Sequence, residues 1–475
     1  MPHAIPDSAP QRELTGHGLA ERVVQGLNAP MTRAAILLAA GLGTRMRSTL
    51  PKAMHPIAGR PMLRHLIAAC EEVFDRIVVV TGPDMPALEK AAAPHATVIQ
   101  HDRLGTGHAA LQAAPLLEGL NGDVAVLYAD NPLITAATLR RLLEAREAAD
   151  LALLAMRPAD PARYGRVLPH EDGGISRIVE WKDATEDERA VGLCNVGVIC
   201  APGAQLFPWL RALTNDNASG EYYLTDTVAA ARAAGFRAVA VEADEAECRG
   251  INSRIELAAA EAVVQSRLRE AAMANGATLI RPESVTLSFD TRLGQDVTIG
   301  PDVVFAPGVT VEDEVEIRAF SHLEGCTVRR GATIGPFARL RPGTEVGPRA
   351  HVGNFVELKA THLGEGAKAN HLSYIGDATI GAATNIGAGT ITCNYDGFAK
   401  HRTTVGKGVF IGSNATLVAP LTLGDGAFVA AGSTITTHVL PDAMAFGRAR
   451  QEQKEGRAAT FRLERRSLTV KKEQR

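Results

Sequence analysis

The chain has 475 residues, enough for two or three domains at roughly 150 residues each. Hydrophobic residues at 46% provide for a sizeable core and charged residues at 22% for a soluble surface, while 50 Lys and Arg against 53 Asp and Glu exclude a dedicated nucleic-acid binder. No apolar run reaches the roughly 18–20 residues of a membrane span. The six cysteines (Cys70, Cys194, Cys200, Cys248, Cys326 and Cys393) form no CxxC pair and HExxH is absent, so zinc and thioredoxin chemistry have no support. Scattered in this way, they read as reduced, mostly buried thiols of a cytoplasmic protein.

Residues 1–30 are a Pro/Gly/polar mixture without the apolar stretch of a secretory signal, and Met31 directly precedes the first strand-like run. They are expected to be a disordered extension or an upstream start. From residue 32 to about 276, short apolar runs alternate with helical patterns. Runs at 36–38, 77–80, 124–128, 151–155 and 196–199 have strand length and β-rich composition, and 62–73 and 136–149 suit helices. Such alternation predicts an α/β unit with a mostly parallel sheet covered on both faces. Ligands bind such sheets beyond the carboxyl ends of the strands.

The first run continues into Leu38-Ala39-Ala40-Gly41-Leu42-Gly43-Thr44-Arg45-Met46. Two glycines let backbone N–H groups approach a phosphate chain, and Arg45 adds a cation. Met46 stands where a dinucleotide fingerprint has its third glycine, and GxxxxGK[ST] is absent, so neither motif applies. Taken alone, the turn is either a phosphate cradle or a plain tight turn. Lys52, after Pro51, is a phosphate ligand only in company with it. Asp130 follows a strand-like run and is either a ligand at its end or an Asx-turn residue. Asn252 is either a ligand or the cap of an Ala/Glu/Arg/Leu-rich stretch that Asn275-Gly276 closes, a helical linker over 252–276.

From about residue 293 the rhythm changes. Val297, Val303, Val309 and Val315 are six apart, as are Ile299, Phe305, Val311 and Ile317. The step returns at Ile334, Leu340, Val346, Val352 and Leu358, and again from Val405 through Ile411, Leu417, Leu423 and Val429 to Ile435. Glycine often follows the aliphatic residue, as in Ile299-Gly300 and Ile411-Gly412. A hexapeptide period is the signature of a parallel β-helix, in which three hexads close one triangular coil. The period breaks at 394–401, predicting a projecting loop, and is lost in the basic tail over 451–475.

The LxxGxGTRM stretch and the following Pro51-Lys52 resemble the opening signature of the sugar-phosphate nucleotidyltransferases. Leu104-Gly105-Thr106-Gly107-His108-Ala109, Tyr128-Ala129-Asp130, Tyr164-Gly165-Arg166, Glu180-Trp181-Lys182-Asp183-Ala184 and Gly220-Glu221-Tyr222-Tyr223-Leu224-Thr225-Asp226 follow in that family's order. With the hexapeptide half attached, the chain resembles the bifunctional family that unites N-acetylglucosamine-1-phosphate uridylyltransferase with glucosamine-1-phosphate N-acetyltransferase. The resemblance implies a Rossmann-like nucleotidyltransferase domain over 31–251 and a left-handed β-helix acetyltransferase domain over 277–450. It also implies a cytoplasmic homotrimer that makes UDP-N-acetylglucosamine, with no nucleic-acid or membrane partner.

The resemblance assigns Leu38, Ala39, Ala40, Gly41, Lys52, Gln100, Gly105 and Thr106 to the uridine nucleotide of UTP, with Tyr128, Ala129 and Asp130 beside it. It assigns Gly165, Glu180 and Asn195 to the sugar, and Asp130 and Asn252 to Mg²⁺. One carboxylate, one amide and the phosphates are a sufficient oxygen set for that ion. Arg45 and Lys52 would neutralise charge as the sugar phosphate displaces pyrophosphate. Ala129, Asn131, Trp181 and Val196 stand where the family usually has glycine, valine, histidine and threonine.

In the coil, Gly335-Pro336-Phe337-Ala338-Arg339-Leu340-Arg341-Pro342-Gly343, Asn354-Phe355-Val356-Glu357-Leu358-Lys359, His371-Leu372-Ser373-Tyr374 and Asn385-Ile386-Gly387-Ala388-Gly389 resemble the acetyltransferase signature. Arg341 and Lys359 are thereby implied at the phosphate of glucosamine-1-phosphate, Tyr374 and Asn385 at its sugar, and His371 as general base. Ala388, Asn394, Tyr395, Ser413, Ala431 and Arg448 are implied at acetyl-CoA. A second reading keeps only the nucleotidyltransferase and makes the coil a regulatory or oligomerising appendage. A mere spacer has no need of His371, Lys359 or Arg341.

Overall fold

A computed structural model of the chain describes residues 31–473, and the expected extension over 1–30 lies outside the described residues. The chain forms two compact units, divided between Gln265 and Ser266.

The first unit is built on one nine-stranded sheet. Its strands are β1 (Ala34–Leu38), β2 (Arg76–Thr81), β3 (Ala96–Ile99), β4 (Asp123–Tyr128), β5 (Leu151–Met156), β6 (Arg166–Pro169), β7 (Ile175–Val179), β8 (Cys194–Pro202) and β9 (Ala238–Glu242). Their order is β9-β5-β8-β4-β1-β2-β3, with the β6/β7 hairpin attached to β8. The sheet is parallel except at β8, which runs antiparallel to β4 and β5, and at the hairpin. Both faces are covered, so the central strands are near-continuous apolar runs. In β1, Ala35 and Leu37 enter one buried cluster, while Ala34 and Ile36 enter another.

β2 and β4 flank β1 on opposite sides, so the chain reverses its direction of winding there. A crevice therefore opens at the carboxyl ends of β1 and β4. Helices Met62–Glu71 and Ala136–Glu147 form where the sequence predicts them. Strands β3, β6, β7 and β9 are not legible as runs, because β3 has no fully buried position and the other three mix buried with half-exposed or exposed ones.

In the second unit, three parallel sheets of ten, eight and eight short strands form the walls of a triangular coil. Ile299 pairs with Ile317, Phe305 with Leu323 and Val311 with Val328, each one full coil later. These apolar side chains make one continuous buried stack. The glycines behind them are steric: a Cβ on Gly387 would stand 2.6 Å from the carbonyl carbon of Gly412 in the next coil. Residues 394–401 form the expected loop, with Phe398 fully in solvent.

Helix Arg254–Ala274 carries the unit boundary within it, and its Leu268 and Ala272 pack on the coil's core. Its cap is Ser253 rather than Asn252: the Ser253 hydroxyl accepts the Glu256 N–H at 3.3 Å, and the Glu256 carboxylate accepts the Asn252 N–H at 2.6 Å. This reciprocal arrangement leaves the Asn252 side chain free for other work. The basic tail forms helix Arg457–Glu473, exposed in its described side chains.

Leu358 is fully buried in the inner stack. Leu358→Ala should destabilise the coil unit by about 2–5 kcal/mol, measured as a lower denaturant midpoint for that unit. An unchanged midpoint would contradict a closed, load-sharing stack.

Candidate active sites

Beyond the carboxyl ends of β1 and β4 lies a cavity of about 350 Å³. The residues expected at the nucleotide from Leu38 through Asp130 all line it. Arg45 does not; it is exposed on the short turn Thr44–Met46. The cavity's far wall comes from two loops laced together. Gly107 N–H donates to Tyr222 O at 2.8 Å, Tyr222 N–H to Leu104 O at 2.8 Å, and Leu224 N–H to Thr106 Oγ1 at 3.0 Å. Gly105 is obligatory here, with φ at +114° and a Cβ that would stand 2.6 Å from Tyr222 O.

Lys52 is held under the glycine turn, where a Cβ on Gly43 would stand 2.6 Å from Lys52 Cβ. Its ammonium is paired with the Asp130 carboxylate and donates to Asn252 Oδ1 at 3.0 Å. The two residues expected at Mg²⁺ thus come together from positions far apart in the chain, with their oxygens facing one cation. Among the described residues no group of three or more His, Cys, Asp and Glu side chains gathers at a metal-like site. A carboxylate and an amide oxygen are nevertheless the hard donors that Mg²⁺ accepts when waters and phosphates fill its remaining positions.

Gly165, Glu180 and Asn195 also meet. Asn195 N–H donates to Gly165 O at 2.8 Å, and Gly165 lies against the Glu180 carboxylate. Burial raises the pKa of Glu180, against the hydrogen bond it accepts from Thr225. Tyr128 connects this group to the cavity, its ring filling the space where Gly197 has no side chain. Trp181 lies under the guanidinium groups of Arg166 and Arg189, at 5.1 and 4.6 Å from the ring centroid. Asn131 is buried and donates to Cys248 O at 2.7 Å, tying down the turn that carries Asp130. Val196 is buried in the core, and Ala129 lines the cavity.

In the coil, one corner carries most of the predicted acetyl-transfer residues. Leu372 N–H donates to Asn354 O at 3.0 Å, Gly389 N–H to His371 O at 3.3 Å, Asn414 N–H to Ala388 O at 2.7 Å and Gly432 N–H to Ser413 O at 2.8 Å. These bonds stack His371, Ala388, Ser413 and Ala431 into a rail along successive coils, with Arg448 following Gly447 at its end. Arg341, Lys359 and Tyr374 lie on the sheet after this corner, and Asn385 on the sheet before it. Tyr395 stands exposed on the 394–401 loop, while Asn394 is buried and reaches Tyr374 Oη at 3.4 Å.

Both expected phosphate-binding cations already have carboxylate partners. Arg341 pairs with Glu357 at 2.9 Å, and Lys359 donates to both Asp377 oxygens at 2.7 and 2.9 Å. Glu357, Asp377, Arg103 and Glu221 are the members that the sequence reading did not assign. Asp377 stands 18 residues after Lys359, one residue past Gly376, the in-register partner of Lys359 in the next coil, so the coil spacing placed it nearby. Arg103, which braces the glycine turn by donating to Ala40 O at 3.0 Å, lies in a polar stretch with no such signal.

The chain matches the family described as MobA-like NTP transferase domain over residues 35–220. It matches the bacterial transferase hexapeptide (six repeats) over residues 290–325 and 402–437. It is 63% identical over 446 residues to a protein of Gluconacetobacter diazotrophicus named "Bifunctional protein GlmU", spanning 93% of this chain and 95% of that one. Proteins of the same name from Acidiphilium cryptum and Granulibacter bethesdensis are 61% and 59% identical, each spanning 91% of this chain and 99% and 97% of their own.

The Lys359–Asp377 pair makes a pH prediction. Burial works against the Asp377 charge, but hydrogen bonds from Lys359 and Asn394 outweigh it and hold the carboxyl below its ordinary value. Its contribution to stability is therefore present above the unfolded pKa and lost as pH falls through the lower folded one. Asp377→Asn should flatten that acid limb in denaturation curves recorded across it. An unaltered limb would remove Asp377 from the balance.

Proposed function

The chain belongs to the GlmU family of bifunctional proteins, and from that premise we propose that it makes UDP-N-acetylglucosamine by two transfers, each in its own unit. The coil acetylates glucosamine-1-phosphate from acetyl-CoA. The α/β unit then transfers uridylyl from UTP to N-acetylglucosamine-1-phosphate, releasing pyrophosphate. The observation that carries the first site is the meeting of Lys52, Asp130 and Asn252 at the mouth of a cavity lined by the nucleotide residues.

In uridylyl transfer the sugar-phosphate oxygen attacks the α-phosphorus of UTP in line, and the bond to the pyrophosphate oxygen breaks. Gly41 and its neighbours present backbone to the nucleotide. Gly165, Glu180 and Asn195 orient the sugar, and Lys52 neutralises phosphate charge, with Arg45 reaching in from the exposed turn. Asp130 and Asn252 are the proposed Mg²⁺ ligands; when bound, the ion supplies charge neutralisation to the triphosphate. Both now engage Lys52, so loading the site exchanges one cation for another.

In acetyl transfer the amine nitrogen of the sugar bonds to the thioester carbonyl carbon. His371 takes the amine proton, the C–S bond breaks, and the thiolate of CoA recovers that proton from the imidazolium. Arg341 and Lys359 hold the sugar phosphate, with Tyr374 and Asn385 on the sugar. The rail of Ala388, Ser413 and Ala431, with Asn394, Tyr395 and Arg448, carries acetyl-CoA. Small residues along a corner leave room for a long, thin ligand to lie against backbone.

A homotrimer is the proposed assembly. Arg341, Lys359 and Tyr374 lie on one wall of the prism and Asn385 on another, so a single coil presents its set around an outward corner. A neighbouring copy would close that corner into a cleft. No helix of the described residues is long and apolar enough to cross a membrane. The cytoplasm, which supplies UTP and acetyl-CoA, is the proposed location.

Two variants test the division of labour. Asp130→Ala should abolish pyrophosphate release and leave acetyl transfer near normal. His371→Ala should do the reverse, cutting acetyl transfer by roughly 10²–10⁴-fold. Equal loss of both activities in either folded variant would sink the reading. Light scattering should give a trimer; a monomer with full acetyl transfer would refute the shared cleft.

A further inference from the structure

Ten short strands stack into the coil wall that leads to the His371 corner. Eight of them have two residues, whereas His351–Asn354 and Lys368–His371 have four each. Pairing there runs on into the corner, so that Asn354 lies in register opposite His371. Gly353 makes the extension possible, since a Cβ on it would stand 2.0 Å from Asn370 O. No other residue type tolerates so close an approach. The two side chains then meet, with His371 Nδ1 and Asn354 Oδ1 2.6 Å apart.

An amide oxygen only accepts, so the shared proton belongs to His371 Nδ1 and the lone pair is left on Nε2. Among the described residues no carboxylate is hydrogen-bonded to this ring. His351 and Lys368 are the ionisable groups on the same wall, with Arg318 and Glu316 below His351. Tyr374 follows on the next wall above Glu357, and the coil above offers Asn385 and Ala388. The asparagine is thus a neutral partner that selects a tautomer without adding charge.

Resting on the reading of His371 as the base, we propose that Asn354 is the positioning residue for acetyl transfer. It holds His371 as the Nδ1–H tautomer, so that Nε2 faces the amine and takes its proton. The residue that follows at this corner in successive coils is apolar and exposed, Phe337, then Phe355 after Asn354 and Leu372 after His371.

The test uses the full chain and four readouts. Asn354→Ala should lower kcat for acetyl transfer about 10–100-fold, as losing the partner that orients a histidine does elsewhere. KM for both substrates, melting temperature and uridylyl transfer should stay near wild type. Asn354→Asp keeps an acceptor, should recover much of kcat, and should move the acid limb of the pH–rate profile up by about one unit or more, because a carboxylate favours the imidazolium. Nitrogen-15 NMR should show the Nδ1–H tautomer of His371 in the wild type and a mixture in Asn354→Ala. Wild-type kcat and tautomer in Asn354→Ala would overturn the proposal. So would equal losses in both variants with an unmoved pH profile. His371→Ala with full acetyl transfer would instead overturn the base reading beneath it.

Discussion

Both sites are built where two stretches of chain pass closer than a Cβ permits. Gly43 lets the first loop lie on the stem of Lys52, Gly105 lets a second loop pair with Tyr222, and Gly197 makes room for the Tyr128 ring. In the coil the same constraint sets the contact of Gly387 with Gly412 and of Gly353 with Asn370. Glycine costs conformational entropy on folding, and that cost is accepted where backbone must meet backbone or a ligand must meet backbone. A methyl group at any of them would meet the neighbouring backbone or side chain and force it to shift.

The cations of the two sites are held by anions before any substrate arrives. Lys52 lies between Asp130 and Asn252, Arg341 against Glu357, and Lys359 between the two oxygens of Asp377. A partly buried ammonium without a partner is costly, so these pairings keep the folded chain stable and the long side chains extended toward their sites. On the proposed function, a phosphate or a metal ion would enter by exchange, and the net gain on binding would be the difference between two pairings.

The sequence-to-structure comparison differs between the units. The hexad runs predicted the coil because every sixth residue points inward and is buried, leaving periodic runs that recur between Val297 and Ile435. In the α/β unit the central strands were legible, but β3, β6, β7 and β9 were not, since their partial exposure dilutes the apolar run. Asn252 was legible as a helix start, yet Ser253 took the cap and the amide side chain turned to Lys52 instead. The motifs around Lys52, Asp130 and His371 named residues that the structure brings near one another, while the partners Glu357, Asp377 and Arg103 carry no motif of their own.

The sequence by itself determined the two architectures, their order, and the residue types available for phosphate and acyl chemistry. These follow from local periodicity and short motifs, which adjacent residues carry. The tertiary structure alone decided which groups meet across 78 or 200 residues, as at Lys52 with Asp130 and Asn252. It also decided that His371 stands against Asn354 and that most residues expected at acyl transfer gather about one corner of the coil. Those facts depend on how strands pack and where a missing Cβ lets two chains close up, and no stretch of neighbouring residues records them.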